Sequence, residues 1–444
     1  MLLSTVPPAT DAGQERRATR YAARHVLWKL SRVPRRRECG RLPCSADGVA
    51  LKVTVDAQGG RHAGWAGVST CGSVWSCPVC SAKIANVRQV ELLAAITEWT
   101  RRGGRIGFGT VTMRHYREHA IKALWDGLSA ARQAMVTGRA WQAEQIEHGR
   151  VMQRTIKRGK RAGQVVNDFR VPIVGVVEAT HGVNGWHLHV HMVLFLGPDE
   201  TAASFDLLGA QMFARWRDSL GRSGLPLPIF NVSGRGKDFQ LVEGDAAAAL
   251  ADYFTKGIYE GAAPGFALDG AAAAKAQLRG VSLEATRADM KDGSRGNRTP
   301  FGVLRGLVLV ATTGDLGGRT PEDVAADEEL WHDWERGSAD RRQMTWTPGL
   351  REWLGRCMPD EMTDEEAAAA CDGVADEVVK VDGATHKLII ACRADGLLLT
   401  AFERGQVQGW EMMRIFAGGA DRMATGDTFA DVARSCRSRL RLLV

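Results

Sequence analysis

Only four of the 444 residues are tyrosine, no stretch approaches 18 uninterrupted apolar residues, and no GxxxxGK[ST] segment occurs. The first scarcity shortens any search for a phenolic nucleophile to Tyr21, Tyr116, Tyr253 and Tyr259. The second excludes a membrane-spanning helix, and the first 30 residues lack an apolar core followed by a small-residue cleavage site. A soluble, cytoplasmic chain is expected. The third excludes a phosphate-binding loop of the ATP-driven motors. Cysteine is unevenly spread: five of nine, Cys39, Cys44, Cys71, Cys77 and Cys80, crowd the first fifth, while Cys357, Cys371, Cys392 and Cys436 are scattered. That pattern argues against a disulfide scaffold and for a reducing compartment.

What is present is an ordinary globular composition, 45% hydrophobic and 25% charged. At this length two or three domains are expected. The net charge is +7 and the isoelectric point about 9.0. Basic residues gather in an early run that includes Arg16, Arg17, Arg20, Arg24 and Lys29, and in a second formed by Arg150, Arg154, Lys157, Arg158, Lys160 and Arg161. Charge runs are ordinarily solvated faces, so each needs a neighbouring motif to mean more.

Residues 1–35 show no persuasive period and are expected as a basic flexible arm. Residues 36–102 read as a cysteine-rich knuckle followed by a helix over 81–102, with Ile84, Val87, Leu92, Ile96 and Trp99 near helical spacing. RIGFGTVTMRH then reads as a strand, and helices are expected over about 118–138 and 201–220. VPIVGVVEAT and WHLHVHMVLFLG, joined through HGVNG, form a hairpin pattern. Asp245 is a candidate N-cap for a helix carrying Tyr253 and Lys256, which a spacing of three puts on one face. Residues 360–444 are expected to form a second, small α+β unit of unassigned role. Alternating elements around an antiparallel hairpin point to an α+β fold rather than a doubly wound parallel one.

His187, His189 and His191 alternate with Leu188 and Val190, so on a strand all three imidazoles share a face. Imidazole is the commonest side-chain metal ligand, and carboxylates complete sites for hard cations such as Mg²⁺ or Mn²⁺. Glu178 is the carboxylate on the same face. A two-residue turn at Asn184-Gly185 sets it opposite His191, whereas a four-residue loop over Gly182 to Gly185 sets it opposite His189. Cys71, Cys77 and Cys80 form C-x5-C-x2-C, to which Cys39 or Cys44 can add a fourth thiolate for a structural Zn²⁺; Cys39 is preferred.

WHLHVHMVLF resembles the HUH endonuclease superfamily, in which two histidines around one hydrophobic residue lie on a central strand and hold a catalytic divalent metal. Either His187 and His189 or His189 and His191 fit; the latter pair is preferred because an aliphatic strand follows it. CGSVWSCPVCSAKI, HGVNGWHLHVHMVLF, ADYFTKG, NRTPFGVLRG and the stretch from LWHDWERGS to RRQMTWTPGLR further resemble the replication initiators of small rolling-circle plasmids from high-GC Gram-positive bacteria, over roughly residues 36–355. The resemblance implies an HUH nuclease domain over 103–355, with a central antiparallel sheet flanked by helices and a basic insertion near 150–161 that contacts DNA. It implies origin recognition, a nick by Tyr253 assisted by Lys256, a covalent 5′ link, a 3′-OH primer and a recruited host helicase. Some relatives carry a glutamate four residues before the tyrosine; here Ala249 stands there, leaving Asp252, Asp245 or Tyr259 for the terminating cleavage. A transposase, a relaxase, a non-catalytic DNA-binding regulator and a zinc hydrolase using the three histidines as ligands are the alternatives.

Overall fold

The computed structural model describes residues 11–44, 48–55, 59–156, 159–229, 236–242, 297–369 and 375–442. Helix α1 spans Asp11–Leu30, where a flexible arm was expected. Its inward face consists of Tyr21, Ala23, Arg24, His25 and Leu27, all buried. Two of those five are polar, so the apolar period that announces a helix is absent from the sequence. Asp395 receives both, accepting from Arg24 and lying 2.7 Å from His25 Nε2. A short helix α2 (Pro34–Arg37), strands β1 (Val49–Val55) and β2 (Arg61–Ala66), and the long helix α3 (Pro78–Arg101) follow.

The centre of the molecule is a five-stranded antiparallel sheet in the order β8-β3-β7-β6-β9. Its strands are β3 (Arg105–Thr112), β6 (Ile173–Gly182), β7 (Gly185–Leu196), β8 (Lys237–Val242) and β9 (Met344–Trp346). Helices α4 (Ile121–Met135), α5 (Gly138–His148) and α6 (Ala202–Arg222) and a separate ribbon, β4 (Arg150–Thr155) with β5 (Val165–Arg170), complete this part of the chain. The α+β class with a central antiparallel sheet flanked by helices agrees with the sequence reading.

Alternation along β7 splits the core. Leu188, Val190, Met192 and Leu194 join α4 and α6 through Trp125, Leu128 and Met212. Val193 and Phe195, on the histidine face, pack instead with Leu92, Ile96 and Trp99 of α3, and Trp99 donates its indole N–H to Leu196 O at 2.9 Å. Burying both faces makes the second half of the strand a continuous apolar run. On β3, a Cβ added to Gly107 would lie 2.3 Å from the Phe205 ring, so the glycine is what lets α6 close on the sheet.

Beyond the sheet come α7 (Pro300–Thr313), α8 (Pro321–Gly337), α9 (Leu350–Leu354), α10 (Asp364–Ala369), β10 (Glu377–Val381), α11 (Gly383–Ala391), α12 (Asp395–Arg404), α13 (Gln406–Ala424) and α14 (Phe429–Leu440). The starts of α7 and α8 follow local chemistry. Thr299 caps one ahead of Pro300, and Thr320 with Asp323 forms a capping box ahead of Pro321. The C-terminal unit is not self-contained, contrary to expectation. Its strand β10 pairs antiparallel with β1 in a sheet ordered β10-β1-β2, and α1 lies against α12 through Arg17–Glu403 as well as Asp395. Both ends of the chain thus build one unit, because β1 lacks a second neighbour until residues more than 320 positions later supply it. Among the described residues no helix is long and apolar enough to cross a membrane.

Candidate metal centre

The β6–β7 hairpin aligns Gly182 with Gly185, so Val183 and Asn184 form the turn. Gly185 has φ +85°, a region that favours glycine. This register sets Glu178 opposite His189 and disposes of the alternative that placed it opposite His191. At the hairpin's tip His181 also exchanges backbone hydrogen bonds with Arg298, at 2.7 and 2.8 Å.

Glu178 Oε2 lies 2.8 Å from His189 Nε2 and 3.5 Å from His191 Nε2. The ligand atoms of all three are within 4.8 Å of one another, and the residues are only 7%, 6% and 2% exposed. His189 is the direct cross-strand neighbour and His191 the diagonal one, both within reach of one carboxylate. Two imidazoles and a carboxylate aimed at a common point are a donor set suited to a divalent cation. His191 is further fixed from β3, where Thr110 Oγ1 lies 2.9 Å from its Nδ1 and Phe108 stacks on the ring at 5.6 Å.

His187 does not join this group. Its Nδ1 lies 3.1 Å from Nδ1 of His115, and burial, with His189 and His115 adding to it, pushes its pKa down to about 3. The preferred pair, His189 and His191, is the one that meets Glu178. Thr110 and His115 were not singled out from the sequence. Nothing near them marks a role, since Thr110 meets His191 only through the pairing of β3 with β7, and His115, past the end of β3, meets His187 only in the fold.

The four cysteines Cys39, Cys71, Cys77 and Cys80 are buried and brought together, while Cys44 is exposed. Hydrogen bonding, first from Cys71, holds the Cys39 thiol well below the usual thiol range. Cys71 and Cys77 are pushed well above it, each chiefly through its contact with Cys39.

Of the second basic run, Arg150 is packed rather than presented: its guanidinium lies 5.2 Å from the Trp99 ring and 5.1 Å from Trp353 and donates to Arg102 O at 3.1 Å. Arg154 takes its place on β4 opposite Val166. Lys160 and Arg161 are exposed at the end of the ribbon, where Arg161 donates to Gln164 Oε1. Lys157 and Arg158 lie outside the described residues, as do Tyr253, Lys256, Asp245, Ala249, Asp252 and Tyr259. Trp331, Trp334 and Glu335 are core: Trp334 stands 4.6 Å from Trp186, at the start of the histidine strand.

No family model matches the chain, and no solved structure matches it. A "Neomycin resistance protein" of Streptomyces cyanogenus is 25% identical over 183 residues, 36% of this chain and 39% of that protein. The "Protein rep" of Streptomyces lividans is 32% identical over 337 residues, 67% of this chain. The chain spans 66% of that relative's length. On that similarity the chain belongs to the family of Rep proteins represented in Streptomyces lividans.

Proposed function

We propose that this chain initiates rolling-circle replication of a plasmid by nicking one strand of its origin. The observation that carries the reading is the convergence of Glu178, His189 and His191 on one sheet face, in a chain similar to a protein named rep. One Mg²⁺ or Mn²⁺ held by these residues would neutralise charge on the non-bridging oxygens of a phosphodiester. Glu178 and the two imidazoles would hold that cation, and so fix where the phosphate sits. Thr110 keeps His191 in one ring orientation, as outer partners of metal-binding histidines do.

Tyr253 is the nucleophile in this reading. Its phenolic oxygen, having lost its proton to solvent, attacks phosphorus. The P–O3′ bond breaks, the 3′ oxygen takes up a proton to become the primer hydroxyl, and the 5′ phosphate stays on the tyrosine. Lys256, three residues on, steadies the phosphate. A phosphodiester is exchanged for another of similar energy, so the same step run backwards rejoins the strand at termination. With Ala249 where some relatives carry glutamate, Asp252, Asp245 or Tyr259 serves the terminating cleavage. With no GxxxxGK[ST] segment in the sequence, strand separation in this reading falls to a host helicase.

Incubating the protein with labelled supercoiled plasmid and Mn²⁺ tests this. Origin-specific relaxation and a covalent protein–DNA band are expected, and both disappear in Tyr253→Phe. Equal nicking by that variant removes the nucleophile assignment. Cleavage at a transposon end or a transfer origin instead makes the chain a transposase or a relaxase.

A further inference from the structure

The four cysteines come from three separate places. Cys39 follows α2, Cys71 lies in the loop after β2, Cys77 precedes α3, and Cys80 is in its first turn. Their sulfurs are nevertheless gathered: Cys39 is 3.8 Å from Cys77 and 3.6 Å from Cys80, and Cys71 is 3.7 Å from Cys80, with all four within 4.8 Å of one another. A Zn–S bond of about 2.3 Å implies a tetrahedron with edges of about 3.8 Å. A disulfide would bring two sulfurs to about 2.05 Å and leave the others aside. Cysteines packed only as small apolar groups have no reason to converge on one point.

The electrical surroundings agree. Four thiolates around Zn²⁺ carry a net charge of −2, which is costly in a buried place unless a cation stands near. Arg24 is that cation: it is 4% exposed, and its guanidinium covers Gly40, next to Cys39, so closely that a Cβ there would lie 2.3 Å from Nη1. On its other side Arg24 donates to Asp395 of α12. The loop between Cys71 and Cys77 also carries Trp75, whose ring lies 5.6 Å from Trp334 and whose carbonyl accepts from the Trp334 indole at 2.9 Å.

We propose that Cys39, Cys71, Cys77 and Cys80 bind one structural Zn²⁺, with Arg24 as its balancing cation. The ion fastens the N-terminal segment and the C-terminal unit, through Arg24 and Asp395, to the helix and tryptophan cluster beneath the histidine strand. This is independent of the nicking reading, and its test measures metal rather than cleavage.

The full chain, purified under reducing conditions without a metal-binding tag or added metal, should contain one zinc per molecule by elemental analysis. A mercurial reagent should release that zinc in step with the blocking of four thiols, and the melting temperature should fall as it leaves. Cys44→Ser and Cys392→Ser should keep one zinc, whereas Cys39→Ser should lose it. Arg24→Met should yield its zinc to a chelator roughly 10- to 100-fold more readily than the parent chain, with Arg24→Lys recovering part of the loss. A folded, monodisperse parent chain with no stoichiometric zinc overturns the proposal, as does iron in its place. Loss of zinc from Cys44→Ser but not from Cys39→Ser overturns the ligand set.

Discussion

His191 is gripped from two strands: Glu178 on β6 faces its Nε2 and Thr110 on β3 faces its Nδ1. A hydroxyl at Nδ1 selects which ring nitrogen is available toward the carboxylate, and such outer partners are typically worth 10- to 100-fold in metal affinity or activity. Thr110→Val keeps the shape and removes the oxygen. In the proposed nicking reaction it should raise the Mn²⁺ concentration needed for half-maximal rate about tenfold, while Thr110→Ser stays close to the parent chain. An unchanged metal dependence in the valine variant would show that Thr110 is only packing. The imidazoles and Glu178 were legible in the sequence because strand alternation is a local property. Thr110 was not, because a residue's cross-strand neighbour depends on which strand pairs with it and in what register, and neither was His115, which lies past the end of β3 and meets His187 only in the fold.

At the level of elements, the hairpin takes one of the two registers that its sequence offers. Asn184-Gly185 offers a favoured turn pair, yet the turn sits one residue earlier, at Val183-Asn184, while His181 on the same hairpin pairs with Arg298. The same contact affects how the tip responds to acid. Burial, reinforced by the Arg298 charge, lowers the His181 pKa to about 4, below the ordinary value near 6.5. The folded chain therefore keeps this ring neutral down to about pH 4, while the unfolded chain takes up its proton as soon as pH drops below about 6.5. Stability from this group is complete above pH 6.5 and is lost progressively toward pH 4. Thermal melts at pH 7 and 4.5 should show a smaller drop for His181→Gln than for the parent chain; equal drops would dismiss His181 as a contributor. Helix α1 is the element the sequence concealed, since Arg24 and His25 occupy positions where leucines would have revealed its inner face.

At the level of the whole molecule, the unit shared by the two chain ends rests on pairings that no sequence period reports. Strand β1 was legible as a short apolar run, but its partner β10 lies across the entire central sheet in sequence. Asp395 is the electrostatic centre of that union. It is 1% exposed, accepts from Arg24 and pairs with His25, and those contacts hold its pKa below the usual carboxylate range against the opposing effect of burial. Replacing it by alanine removes the carboxylate that the buried Arg24 and His25 share, and breaking a buried pair in this way typically costs about 3–5 kcal/mol. Asp395→Ala should therefore lose stability on that scale in urea unfolding. Breaking an exposed pair such as Lys122–Asp126, which joins neighbours on α4, through Lys122→Ala should cost less than about 1 kcal/mol. If α1 were the flexible arm that its composition suggests, the two variants would unfold alike, and a loss at Asp395 no larger than at Lys122 would detach the N-terminal helix from the C-terminal unit.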